Sequence, residues 1–301
     1  MNGSVPHPIP YQGSKRSLAA SIICHFPPGI ARLVEPFAGS AAISLAASQR
    51  QMVSRFWIND AHSPLATLWG AILDSPEALA TDYRRLWNKQ LGRERQFFND
   101  VRSKFNATHE PHHFLYLLAR CVKAAIRYNA NGEFNNTPDN RRLGARPDEM
   151  ENRILGAAAL LSGKTKLSCL DYRDVLRECG SDDLIYMDPP YQGVCKSRDN
   201  RYAPKVDHEQ FWDALNNLNQ RGCLFIVSYD GRMGDKQYGQ RMPKHLNLKH
   251  LELFAGRSTQ ATLLGRDHVT YESLYLSPSL VELIASGKNE TRTTQRNLVF
   301  A

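Results

Sequence analysis

Residues 33–41 read Leu33-Val34-Glu35-Pro36-Phe37-Ala38-Gly39-Ser40-Ala41 and run on into Ala42-Ile43-Ser44-Leu45-Ala46-Ala47. A short apolar run stops at a proline, a glycine turn follows, and small residues then recur at helical spacing, which predicts strand, tight turn and helix. Small residues in such a turn let the backbone approach a ligand at the helix N-terminus, so residues Glu35, Pro36, Phe37, Ala38, Gly39 and Ser40 are candidates for holding a nucleotide cofactor.

Working outward, Phe56 to Ile58 predicts a second strand closing on Asn59-Asp60, with a helix from Ser63 to Leu73 whose first turn holds Pro64. An acidic residue ending that strand can accept hydrogen bonds from ribose hydroxyls, which makes Asp60 a candidate. Leu167 to Leu170 before Asp171, Leu184 to Met187 before Asp188 and Cys223 to Val227 before Ser228 are three further apolar runs, each stopped by a polar residue. Strands buried on both faces look like this, and they predict an α/β, doubly wound parallel sheet of Rossmann type with its functional groups at the strands' carboxyl ends. Gln260 to Leu264 and Glu272 to Leu276 predict an antiparallel hairpin at one sheet edge.

Between Ser75 and Lys166 helical patterns (Asp82 to Gln90, Phe114 to Tyr128) alternate with an Asn-rich stretch. So long a strandless interval does not fit a loop, which predicts an inserted, mainly helical module. The expected organisation is a first catalytic part over 1–75, the insertion over 76–166, a second catalytic part over 167–284 and a flexible polar tail over 285–301.

The 301 residues carry a formal net charge of +8, which favours a polyanionic partner. No apolar run matches a membrane span and the N-terminus lacks a signal-peptide core, so a cytoplasmic protein is expected. The six cysteines lack the close pairs of a zinc site and read as reduced thiols; none follows a proline, which removes the Pro-Cys nucleophile of cytosine C5 methylation. The ten histidines show no ligand spacing, and no metal is expected.

Asp188-Pro189-Pro190-Tyr191 follows an apolar strand. An exocyclic amino nitrogen of a base is a poor nucleophile, because its lone pair is delocalised into the ring. A carboxylate and a proline carbonyl can accept its two N–H bonds, two prolines stiffen the backbone, and a tyrosine offers a face on which an extruded base can stack.

The series Pro10-Tyr11-Gln12-Gly13-Ser14-Lys15, the Gly39 turn, Ile58-Asn59-Asp60, Arg127 to Asn135 and Asp188 to Tyr191, in that order, resembles the Dam-like DNA adenine-N6 methyltransferases, the alpha group of amino-methyltransferases. The resemblance covers residues 7 to 277 and implies S-adenosylmethionine as cofactor and duplex DNA as substrate, acted on by a monomer after base flipping. It implies that Tyr11 and Lys15 contact the cofactor, with Lys15 answering its carboxylate. Phe37 to Ser40 would wrap the methionine part, Asp60 the ribose, Asp171 and Tyr172 the adenine. Asp188 would hold the target amino group beside the cofactor's amino end. The family's second turn glycine is Ala41 here.

The same resemblance makes Arg127, Tyr128, Asn129, Phe134 and Asn135 part of a hairpin reaching into DNA. Arg and Asn can bond base edges bidentately, and Tyr or Phe can wedge between bases. Asn136-Thr137-Pro138-Asp139 replaces the family's V-P-F-G, so a target other than GATC is expected. Basic clusters at Arg84 to Gln96, Arg141 to Arg146 and Lys196 to Lys205 are candidate phosphate contacts, with Lys196, Arg198, Arg201 and Lys205 favoured for lying just after the tetrapeptide. A restriction endonuclease acting on the same site is a candidate partner. Cytosine N4 is the alternative acceptor, although that chemistry more often carries Ser in place of Asp188, and a catalytically silent DNA-binding protein is the alternative class.

Overall fold

A computed structural model describes residues 4–190, 206–233, 236–237, 241–257 and 269–287. Strands β1 (Arg32–Glu35), β2 (Phe56–Asn59), β3 (Thr165–Ser168), β4 (Asp183–Met187) and β5 (Leu224–Met233) run parallel to one another. With β6 (Lys236–Gln237), β7 (Lys249–Arg257) and β8 (Val269–Leu276) they form an eight-stranded sheet of order β3-β2-β1-β4-β5-β8-β7, in which β8 joins β5 antiparallel and β6 pairs with the end of β5. Chain order reverses between β1 and β4, and open α/β sheets bind ligands at the carboxyl edge beside such a switch.

The apolar runs form central strands because both their faces are covered. Leu33, Phe56, Ile58, Leu184, Tyr186 and Ile226 belong to one core, which also takes in α1 (Ala19–Ile23), α2 (Ala42–Gln49) and α3 (Ser63–Asp74). Val34, Trp57, Ile185, Met187, Phe225 and Val227 belong to another, closed by α8 (Tyr172–Glu178) and α9 (His208–Gln220). Alternation along each strand puts successive side chains into opposite cores.

Helices α4 (Pro76–Lys89), α5 (Glu94–Thr108), α6 (Pro111–Arg120) and α7 (Pro147–Leu161) fill the interval before β3. Phe98, Phe105, Phe114 and Tyr116 from these helices are buried in the same core as Leu33 and Phe56. No described helix is long and apolar enough to cross a membrane.

Several boundaries differ from the sequence reading, each for a local reason. The pattern from Phe114 to Tyr128 is not one helix: α6 stops at Arg120, where Cys121 is extended and Lys123 and Ala124 take positive φ. The third strand is Thr165–Ser168, and Cys169 and Leu170 have already left it. The fifth strand does not stop at Ser228, because β8 pairs with it as far as Met233 past an irregularity between Tyr229 and Arg232. At that irregularity a Cβ on Gly231 would lie 1.9 Å from the Tyr271 carbonyl oxygen, so only glycine admits this approach of the strands. The edge hairpin pairs β7 with β8, its first arm being Lys249–Arg257, and Gln260 to Leu264 lie outside the described residues. Residues 278–287 are helical, so the helix enters the first three positions of the expected tail, whose remainder lies outside the described residues.

Candidate active site

The β1 turn is built around Gly39. Its φ of +51° is easy only for glycine, and a Cβ there would lie 3.0 Å from Tyr11 Cε1, so the bare backbone lets the tyrosine ring lie against the turn. Asp60 holds the turn from the end of β2: its Oδ2 accepts from Gly39 N at 2.8 Å and its Oδ1 from His62 N at 2.9 Å. Trp69 Nε1 donates to Gly39 O at 2.9 Å. Ala41, in the place of the family's second glycine, has φ 45° and ψ 41°, so it keeps the left-handed conformation and carries its steric cost.

Glu35 ends β1 at 2% exposure and accepts from Ser44 N, a free donor in the first turn of α2, at 2.8 Å. Burial pushes its carboxyl up to about 7 and that of Asp60 up to about 6, in both cases against the hydrogen bonds they accept. Ser14 and Ser40 share a hydroxyl hydrogen bond of 2.7 Å that ties the N-terminal turn to the glycine turn.

Asp188 leaves β4 into the same cleft. Its Oδ1 lies 2.9 Å from Lys15 Nζ, and Glu272 Oε1 of β8 lies 3.1 Å from the same ammonium. Burial pushes the Asp188 and Glu272 carboxyls above their ordinary values while Lys15 pulls against it, and the two acids hold the buried Lys15 well above the usual lysine range. The resemblance implies that Lys15 answers a cofactor carboxylate; in the structure it lines the cleft and pairs with Asp188 and Glu272. Glu272 was missed in the sequence, where it is one of several polar positions in the edge hairpin.

Tyr172 packs at 5.0 Å between ring centroids against Phe37 and at 5.8 Å against Phe211, and its buried hydroxyl has no partner among the described residues. Asp171 caps α8 by accepting from Arg173 N, and its two oxygens are also bound by the Arg173 guanidinium at 2.8 and 3.0 Å, which lowers its carboxyl. One cleft is thus lined by Tyr11, Lys15, Glu35, Pro36, Phe37, Ala38, Gly39, Ser40, Asp60, Asp171, Tyr172, Asp188 and Pro190. Pro189 lies between two of them in sequence; Tyr191, Lys196, Arg198, Arg201 and Lys205 lie outside the described residues.

The hairpin candidates divide. Tyr128 and Phe134 form an antiparallel bridge, Asn129 N donates to Glu133 O at 2.9 Å and Asn135 N to Arg127 O at 2.8 Å. The Asn129 side chain closes the turn, accepting from Asn131 N and Glu133 N and donating to Glu133 Oε2. Phe134 is 1% exposed among Phe105, Phe114 and Tyr128, so it is a core residue and presents no wedge. Arg127 and Asn135 are exposed. In the first basic cluster Arg84 is engaged by Asp148 and Glu151 and Arg85 by Asp82, which neutralises much of its charge locally.

Residues 11–256 match the profile of the D12 class N6 adenine-specific DNA methyltransferases. The chain belongs to that family. It is 29% identical over 187 residues to a DNA adenine methylase of Serratia marcescens, a match covering 61% of this chain and 66% of that protein. It is 28% identical to a DNA N-6-adenine-methyltransferase of Escherichia phage P1, over 73% of this chain and 29% of that protein. It is 22% identical to the type II methyltransferase M.FokI of Planomicrobium okeanokoites, over 88% of this chain and 42% of that protein. The matched stretches thus span two thirds or less of each of these relatives.

Proposed function

We propose that the chain transfers a methyl group from S-adenosylmethionine to adenine N6 in duplex DNA, and that the cleft between the Gly39 turn and Asp188 is where the two substrates meet. The observation that carries this reading is the convergence of the Gly39 turn, Asp60 and Asp188 at the carboxyl ends of β1, β2 and β4 in one cleft. The cleft suits the cofactor on its own chemistry. Tyr11 lies against the bare Gly39 backbone at the cleft wall, the Tyr172 hydroxyl is a buried polar atom awaiting a partner, and several carboxylates suit a cationic ligand. Bound there, S-adenosylmethionine supplies a methyl group on a sulfonium.

Each protein group then has a defined task. Tyr11, Phe37 and Tyr172 offer flat apolar faces. Asp60 keeps lone pairs for hydroxyl donors after accepting its two backbone bonds, and Asp171 keeps lone pairs beside Arg173. Asp188 and the Pro189 carbonyl accept the two N–H bonds of the target amino group, which aims the nitrogen lone pair away from them and toward the donor. A carboxyl raised by burial is also suited to take up the proton released on transfer. Lys15 fixes the orientation of Asp188 and compensates its charge.

Helices α4 to α6 and the hairpin from Arg127 to Asn135 form the part that reads DNA, with exposed Arg127 and Asn135 as the base-reading candidates. The reading places the protein with DNA in the cytoplasm, acting as a monomer. The type II name of the Planomicrobium relative makes an endonuclease for the same site the partner to seek. Nucleoside analysis of host DNA with and without the gene tests the reading: N6-methyladenine is expected to appear only with the gene. Appearance of N4-methylcytosine, or of neither product, contradicts it.

A further inference from the structure

We infer that His62 is a positioning residue that couples the occupied cofactor cleft to the DNA-reading hairpin through the Tyr128 hydroxyl. The link is continuous. Gly39 N and His62 N are held by the two oxygens of one carboxylate, Asp60, and His62 lines the cleft. From the same residue the imidazole Nε2 meets Tyr128 Oη at 2.6 Å. Tyr128 pairs with Phe134 across the hairpin, and the neighbouring Arg127 has its N–H bound by Asn136 Oδ1 and its carbonyl by Asn135 N. Three hydrogen bonds therefore separate the glycine turn from Tyr128, whose chain neighbour is Arg127, and a fourth, from Asn135 N to Arg127 O, crosses to Asn135.

The groups around the ring give the contact its character. Phe114 and Tyr128 pack on it at 5.8 and 5.5 Å between centroids, and Nδ1 has no partner among the described residues, so Tyr128 is the ring's one described polar tie. Burial pushes the imidazole down to about 4, so the ring is neutral at physiological pH and the bond is not a pH switch there. The neutral pair shares one hydrogen bond, whose donor is set by the imidazole tautomer, and it transmits position and not charge. A ligand that orders the turn from Gly39 to His62 then favours one placement of Tyr128, and by linkage a hairpin docked on DNA favours the ligand.

This inference rests on the reading of the cleft as the cofactor site, and hydrogen exchange on the full chain with S-adenosylhomocysteine separates the two. In the wild type the product is expected to slow amide exchange both at 36–62 and at 127–136, the latter on the order of fivefold. Tyr128→Phe keeps the ring and removes only the hydroxyl, so it is expected to retain protection at 36–62 and lose it at 127–136. His62→Gln, which keeps a polar group near the Nε2 position, is expected to retain both, whereas His62→Ala loses the second. Protection at 127–136 that is equal in the wild type and Tyr128→Phe, or absent in the wild type while 36–62 is protected, overturns the coupling alone. Absence of protection at 36–62 in the wild type overturns the cofactor reading and this inference with it.

Discussion

Lys15 Nζ sits 2.9 Å from Asp188 Oδ1 although the two residues come from opposite ends of the catalytic fold, one from the N-terminal turn and one from the end of β4. Removing the cation leaves two largely enclosed carboxylates, Asp188 and Glu272, with side chains 21% and 12% exposed, without their shared counter-charge. Lys15→Met is expected to lower stability by about 3 kcal/mol, the cost typical of breaking a buried pair on one side. It is also expected to raise the Asp188 pKa further, so that the acidic limb of the rate profile moves to higher pH. Urea unfolding and a pH–rate profile check both; an unmoved acidic limb would show that Asp188 does not depend on Lys15.

Glu35 gives a stability prediction with a defined sign. Its carboxyl stands at about 7 in the folded chain against 4.5 as its ordinary value, so between these limits the native state binds the extra proton. Stability from this group is therefore present at low pH and lost as pH rises from 4.5 through about 7. Glu35→Gln keeps an acceptor for Ser44 N and removes the titration. The variant is expected to gain on the wild type from pH 5 to pH 8 by about 2–3 kcal/mol. Thermal unfolding at both pH values measures the gap, and a gap independent of pH would refute the assignment.

Gly39→Ala places a methyl group 3.0 Å from the Tyr11 ring at a backbone φ of +51°. Strain of about 1–2 kcal/mol is expected together with displacement of Tyr11, and binding of S-adenosylhomocysteine should weaken by roughly tenfold or more. Calorimetric titration reads this. Unchanged affinity would put the ligand elsewhere.

Phe134 and Arg127 should respond differently, although both lie in one hairpin. Phe134→Ala empties a fully buried site and is expected to cost about 3–5 kcal/mol of stability. Arg127→Ala and Asn135→Ala remove exposed groups and should leave stability within about 0.5 kcal/mol. Their expected loss is about 1–3 kcal/mol on cognate DNA and much less on scrambled duplexes. Equal losses on both duplexes would make the hairpin a backbone clamp.

What the sequence disclosed follows from where its information is local. Leu33-Val34, Phe56 to Ile58 and Leu184 to Met187 are buried on both faces, so each reads as an apolar run, and the polar residue ending each run marks the carboxyl edge where Glu35, Asp60 and Asp188 stand. Glu272 was not legible, because it lies in an edge hairpin with other polar residues and only the pairing of β5 with β8 brings it to Lys15. Phe134 was misassigned for a similar reason. An aromatic in an Asn-rich stretch suggests exposure, yet α5 and α6 supply Phe105 and Phe114 to bury it. The helix ending at Arg120 carried no warning either, since the apolar pattern continues beyond it while the backbone turns through positive φ at Lys123 and Ala124.

Asp188 is expected to hold the amino nitrogen that receives the methyl group. Radiolabelled methyl transfer to duplex DNA by Asp188→Ala, with DNA affinity and the unfolding transition measured on the same preparation, reads this. DNA binding and fold are expected to persist while transfer falls on the order of a hundredfold or more, as lost alignment at the reacting nitrogen requires. Transfer within about tenfold of the wild type would contradict it.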